Sequence, residues 1–347
     1  MPVDMKVAQR AALDRIRGVL IALVAAIAAV TSMTALAAPI EAATPPKVVI
    51  VVGPAGSATS FYLSQAESYA AQARSYGATV YALYTPHATW SRVRQYAQGA
   101  NLFIYLGHGN GYPSPYGYSV YKSDGLGLNA ADGSSSVAYF GEYYVQNYIR
   151  LAPNAVVILN HLCYASGDSE PGMADPTLAT ARARVDNFAA GFLRTNARAV
   201  FANGYGMATH IIYDLFRTSA SMSQIFWSDP SAKRSDPTTF ASSRTPGKTG
   251  ILDPYVTGKY YHSMVADLAM TAATWRSATA TLAAATTAVR YVGVSYLNLR
   301  SGAGTAYRVI AVLTYDTKLV VYKSSNGWLW VRIPDGRYGW VYGAYTR

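Results

Sequence analysis

The chain of 347 residues has one cysteine, Cys163. No internal disulfide is open to it, and no thiolate zinc site can be built. The five histidines include no H-E-x-x-H pair, so the usual signature of a helical zinc peptidase is missing. There is no G-x-S-x-G, which removes the nucleophile-elbow serine hydrolases. The stretch VVGPAGSATS (51–60) lacks both G-x-G-x-x-G and G-K-[ST]. It reads as a plain strand, turn and helix start with Thr59 or Ser60 as N-cap. Acidic residues are scarce, 18 Asp and Glu against 29 Lys and Arg, a net charge of +11. The basic residues form no consecutive block and no nucleic-acid motif is present, so nucleic acid is not an expected partner. Beyond the N-terminal region no apolar run is long enough to span a bilayer.

What is present begins with a targeting pattern. Lys6, Arg10, Arg15 and Arg17 precede the apolar stretch Gly18 to Val30, and Ala35-Leu36-Ala37 matches a cleavage site. Residues 1–37 are expected to be a signal peptide. The alternative is an uncleaved anchor over Gly18 to Ala38, the one route to a membrane. Without residues 1–37 the chain keeps 25 basic and 16 acidic side chains, a balance suited to an anionic cell surface. Twenty-nine tyrosines supply amphipathic rings for wet interfaces or simply for a polar exterior.

After a linker at 38–46, β-branched apolar runs alternate with helical patterns. The runs are KVVIVVGP (47–54), ATVYALYTP, LFIYLGHGNG (102–111), AVVILNHLC (155–163) and RAVFANGYG. Between the first two, Tyr62, Ala66, Tyr69, Ala73 and Tyr76 recur on one helical face. A helix is expected near 139–151 and another around 207–227. The alternation predicts an α/β domain over 47–228, a mostly parallel sheet with helices on both faces. Sites in such sheets lie beyond the carboxyl ends of strands, where Gly107 to Gly111, Cys163 to Asp168 and Asn203 to Gly206 would meet. Residues 229–287 read as an extension ending in an Ala/Thr-rich linker. Residues 288–347 hold short strands separated by SNG and PDG turns, a small all-β unit.

Parallel packing would bring His108 and Cys163, each at the end of a central strand, to one rim. A thiol nucleophile needs a nearby imidazole, and glycine loops leave N–H groups free for an oxyanion. The bland reading is a buried cysteine acting as a small hydrophobe. Glycines on both sides of His108 weigh against it. Asp168 and Glu170 follow closely and could receive a basic substrate side chain or form a solvated acidic loop. Asp124, Asn129 and Asp132 could offer oxygens to calcium, but their spacing does not fit an EF-hand loop. No other metal or cofactor is expected.

LFIYLGHGNG followed by VVILNHLCYASGD resembles the caspase-like cysteine peptidase superfamily, clan CD. Its members include caspases, metacaspases, legumain, gingipains, clostripain and CHAT-type bacterial peptidases. The resemblance covers 47 to about 228. It implies Cys163 as nucleophile, His108 as general acid/base, and the N–H groups of Gly109 and Cys163 as the oxyanion hole. His161 would line the substrate pocket, with Asp168 nearby. Two departures stand here: relatives commonly carry an acid or Gln at the position of His161, and a small residue at that of Leu162. Strand alternation would put His161 on the same side as Cys163, an alternative partner for the thiolate.

The C-terminal unit resembles a bacterial SH3 domain, by LNLRSG, Tyr307, NGWLWV and the closing GWVYGAY, with Asp316 where glycine is frequent. The resemblance implies binding to peptidoglycan or another wall component. Tyr307, Trp328, Trp330, Trp340 and Tyr342 are the aromatic candidates for a ligand groove, about half of them being expected in the core. Two functions follow. The first is an exported, wall-targeted cysteine endopeptidase acting on a polypeptide. The second is a catalytically silent relative that serves as a cell-wall binding protein.

Overall fold

The computed structural model describes residues 45–277, 288–335 and 337–347. The signal-like segment 1–37 and the linker stretch TATLAAATT lie outside the described residues.

Five hydrophobic runs form parallel strands. In chain order the first elements are β1 (Lys47–Val52), α1 (Thr59–Ser75), β2 (Thr79–Tyr84), α2 (Trp90–Tyr96) and β3 (Leu102–Leu106). A hairpin of β4 (Leu126–Asn129) and β5 (Val137–Phe140) follows. Then come α3 (Glu142–Tyr148), β6 (Ala155–Asn160), α4 (Leu178–Leu193) and β7 (Ala197–Asn203). The single helix expected around 207–227 is two, α5 (Thr209–Arg217) and α6 (Met222–Trp227). Ser221 caps the second in a capping box with Gln224. At α1 the expected side-chain cap is absent: Ala58 holds the N-cap position, and the Thr59 hydroxyl accepts from the Ala55 N–H.

The parallel strands lie in the order β2-β1-β3-β6-β7. Their residues alternate between two apolar layers, because successive side chains of a strand face opposite sides. Val49, Val51, Phe103, Tyr105, Val157 and Leu159 pack with α2, α3 and α4. Val48, Ile50, Ile104, Ile158 and Phe201 pack with α1, α5 and α6. Burial on both faces is why β1, β3, β6 and β7 read as nearly continuous apolar runs, whereas the edge strand β2 is partly exposed.

The region read as an extension does more than link. It adds β8 (Thr238–Ala241), β9 (Thr249–Asp253) and β10 (His262–Ala266), all antiparallel, beside β7 in the order β7-β10-β9-β8. Trp275 is then buried under the sheet, its indole N–H donating to the Asn101 carbonyl at 2.9 Å. The short strands were masked in the sequence by Pro, Gly and polar residues around them.

The C-terminal unit is an all-β sheet. Its strands are β11 (Ala288–Tyr291), β12 (Tyr296–Arg300), β13 (Val309–Thr314), β14 (Lys318–Ser325), β15 (Trp328–Arg332) and β16 (Tyr338–Tyr342). They are ordered β11-β14-β15-β16-β12-β13. Asn326 and Gly327 both adopt positive φ in the β14–β15 turn, the conformation that a tight hairpin demands.

Because β10 is part of the core, Met264→Ala should destabilise the protein by about 2–5 kcal/mol in urea unfolding. A cost near zero would mean that the antiparallel strands do not belong to the sheet.

Candidate active site

β3 and β6 are parallel neighbours with Leu106 opposite Asn160. That register delivers Gly107 to Gly109 and His161 to Asp168 to the same rim. The backbones there touch. A methyl group on Gly109 would sit 2.2 Å from the Cys163 carbonyl oxygen and 3.0 Å from its nitrogen, so only glycine fits. The N–H groups of Gly109 and Cys163 donate to no backbone carbonyl among the described residues, and the Cys163 N–H lies toward its own sulfur. The buried Tyr105 hydroxyl lies 3.0 Å from the His108 carbonyl and accepts from the Gly127 N–H at 2.9 Å. It ties the histidine loop to the β4–β5 hairpin.

The imidazole of His108 is exposed, and no hydrogen bond joins it to the Cys163 thiol. Cys163 is half-buried. Burial first, then the carboxylates of Glu170 and Asp168, push its thiol up to about 11. At neutral pH about one molecule in ten thousand would carry the thiolate. The electrostatic influence of Cys163 also reaches Tyr62, Tyr116 and Tyr139, which single no motif out in the sequence.

His161 does not point where strand alternation predicted. β6 ends at Asn160, and His161 turns to φ 61°. Its Nε2 lies 2.8 Å from Gln65 Oε1 and its Nδ1 3.2 Å from the Gly204 carbonyl. The ring stacks on Tyr62 with centroids 5.1 Å apart. Burial holds the imidazole below its usual range, against the pull of the Gly204 carbonyl. Its two nitrogens face Gly204 and Gln65, and one N–H can donate to only one of these acceptors; neither nitrogen is hydrogen-bonded to the Cys163 thiol. His161 fastens the cysteine loop to α1, as does Asn160, whose amide donates to Gln65 Oε1 and to Tyr69.

Asp168 is buried next to the cysteine, and its Oδ1 has no hydrogen-bond partner. Burial raises its carboxyl above the usual range, partly offset by the Ser169 N–H and Lys259. Arg184 shapes this loop, donating to the Gly167 carbonyl and Ser169 and lying over the Tyr164 ring at 4.7 Å. Glu170 accepts from the Tyr116 hydroxyl at 2.9 Å. The three residues considered for calcium serve separate partners. Asp124 accepts the Tyr112 N–H, and burial lifts it to about 7. Asn129 accepts the Ala88 N–H, and Asp132 pairs with His87.

In the C-terminal unit the core is aliphatic: Val292, Leu297, Leu299, Leu313, Leu319, Val321, Val331, Ile333 and Val341. The expectation that about half of the aromatic candidates fill it fails. Trp328, Trp330 and Trp340 stand on the outer face, as the cross-strand pairs Trp328–Tyr342 and Trp330–Trp340. The outer face is itself divided. Trp328, Tyr342, Tyr296 and Tyr345 line an open groove of about 460 Å³. Trp330 and Trp340 instead line a cavity with Gly99, Arg150 and Asn196 of the α/β region. Tyr307 is exposed and packs on Gly302 and Gly304.

Residues 295–347 are a bacterial SH3 domain, matched by that family over this range. No curated protein matches the chain. Among solved structures, one of NlpC2 from Trichomonas vaginalis aligns at 8% identity with a TM-score of 0.16. The alignment covers 31% of this chain and 34% of that one. This chain thus spans about a third of that structure's length. No helix among the described residues is long and apolar enough to cross a membrane.

The surroundings of the thiol make a direct prediction. The rate of Cys163 alkylation by iodoacetamide should keep rising with pH to beyond about pH 9.5. Glu170→Gln should move the midpoint about one pH unit lower. A wild-type plateau near neutral pH would show a thiolate that the carboxylates do not suppress.

Proposed function

We propose that this protein is an exported cysteine endopeptidase held at the cell wall by its bacterial SH3 domain. One observation carries the reading: the Gly109 and Cys163 backbones meet at the carboxyl rim of adjacent parallel strands, and the exposed His108 directly precedes Gly109. Two aligned motifs resembling caspase-like peptidases support it, as does the signal-like N-terminus.

In this mechanism Cys163 Sγ attacks the scissile carbonyl carbon while His108 takes the thiol proton. The N–H groups of Gly109 and Cys163 receive the oxyanion. His108 returns the proton to the leaving amine, and water releases the acyl-enzyme. A resting thiol near 11 fits a site that is activated by its substrate. A basic side chain settling against Asp168 and Glu170 would neutralise the two charges that oppose the thiolate. The substrate class is therefore a polypeptide with Lys or Arg near the cut.

The same raised thiol favours the second reading, a silent relative whose SH3 domain and surface bind the wall. The two readings separate by intact mass after exposure to peptide electrophiles. Wild type should gain one adduct, fastest with basic peptides. Cys163→Ala should gain none, and His108→Ala should react at least about a hundredfold more slowly. Peptide hydrolysis retained by a folded Cys163→Ala variant would end the peptidase reading, and no adduct from folded wild type would favour the silent one.

Wall binding, through the open groove rather than Trp330 or Trp340, is a proposal common to both. Trp328→Ala in the full chain should lower sedimentation with purified sacculi about tenfold or more, with Trp328 acting as an aromatic anchor. Unchanged sedimentation would remove the groove from consideration.

A further inference from the structure

Away from the cysteine, three residues scattered over more than fifty positions converge. His210 is the second residue of α5, Asp229 follows α6, and His262 opens β10. Asp229 Oδ2 lies 3.8 Å from His210 Nε2 and 3.7 Å from His262 Nε2. One ligand atom from each falls within 4.8 Å of the others. Their side chains are only 8–10% exposed.

These separations are too long for hydrogen bonds. Both ring nitrogens of His210 and of His262 have no hydrogen-bond partner, and His262 is 94% buried by its relative exposure of 6%. The two Nε2 atoms that face Asp229, buried and without a hydrogen-bond partner, are costly to leave so unless something else engages them. The two separations from Asp229 are close to the tetrahedral edge of about 3.4 Å that bonds of 2.0–2.1 Å produce.

The surroundings are those of a prepared ligand set. His262 lies flat on Phe226, ring centroids 4.0 Å apart, which fixes its plane. Its other nitrogen, Nδ1, faces Asp253 Oδ2 at 3.6 Å. Asp253 is itself held by the N–H groups of Lys233 and Arg234 at 2.9 and 2.8 Å. A carboxylate behind an imidazole selects the tautomer that leaves Nε2 free to ligate. Asp229 and His262 also line a cavity of about 230 Å³ with Tyr205, Tyr255 and Tyr261, leaving a route for a fourth ligand.

We propose that His210, Asp229 and His262 bind a first-row divalent cation, zinc being the best match to two imidazoles and a carboxylate. Asp253 positions His262, and the cavity supplies the fourth ligand as water. The ion links α5, the segment after α6 and β10. It therefore fastens the antiparallel strands to the parallel sheet. His262 pairs with Asn203, whose carbonyl receives the His161 N–H at 2.7 Å, so the site supports the cysteine loop without touching it.

The test uses the full chain, stripped with a chelator, titrated with zinc or cobalt(II), and dialysed. Wild type should retain about one zinc per chain and melt several degrees higher than the stripped protein. Cobalt(II) should give the intense visible bands of a tetrahedral site. His262→Asn and Asp229→Asn should abolish these, and Asp253→Asn should weaken binding about 10–100-fold. His87→Asn, which alters the exposed pair with Asp132, should change nothing. Metal bound no better by wild type than by His262→Asn, or metal lost in His87→Asn, would overturn the proposal. Should a variant fail to fold, the wild-type cobalt spectrum decides: tetrahedral bands support the site, and the pale spectrum of the hydrated ion overturns it.

Discussion

The contact of the Gly109 backbone with that of Cys163 is the constraint on which the rest of the candidate site depends. It follows from the parallel register of β3 and β6, which ends both strands at the same level. With no side chain between them, two loops from distant parts of the chain bring their backbones together. Everything else at the rim braces this approach. Tyr105 holds the histidine loop from below, Asn160 and His161 fasten the cysteine loop to Gln65 on α1, and Arg184 gathers the turn that follows.

Local and overall electrostatics have opposite signs here. The chain carries a net charge of +11, yet the thiol responds to burial and to two carboxylates. Most of the basic side chains are exposed and act through water, which screens them over roughly 8–10 Å. Asp168 and Glu170 stand on the same loop as the cysteine, where the dielectric is lower. The global charge therefore suits the protein to an anionic surface, while the local charge suits the rim to a cationic group.

The bacterial SH3 domain shows a comparable division of labour. Its core is filled by aliphatic residues, which frees the aromatic residues of β15 and β16 for the outer face. One end of that aromatic ladder opens to solvent around Trp328 and Tyr342. The other, with Trp330 and Trp340, lies against residues near Gly99 and Arg150. A single strand pair thus lines an open groove and packs against the α/β region at once, with the pleat deciding which residues are available at all.

The parallel half of the sheet, its two helical layers and the shared rim of the loops that carry His108 and Cys163 were legible in the sequence. Uninterrupted β-branched runs between helical patterns admit few arrangements, and strand ends in a parallel sheet share a rim. The SH3 domain was legible from its motifs. Three things were decided only by tertiary structure. β8 to β10 are short, and they become strands because β7 offers an open edge. His161 leaves the strand path because a positive φ ends β6 one residue earlier, which no periodicity reveals. His210, Asp229 and His262 belong to a helix, a loop and a strand, separated by 19 and 33 positions in the sequence, and no local spacing connects them. Sequence patterns record which faces are buried, whereas the direction of a side chain beyond the end of an element depends on what packs against it.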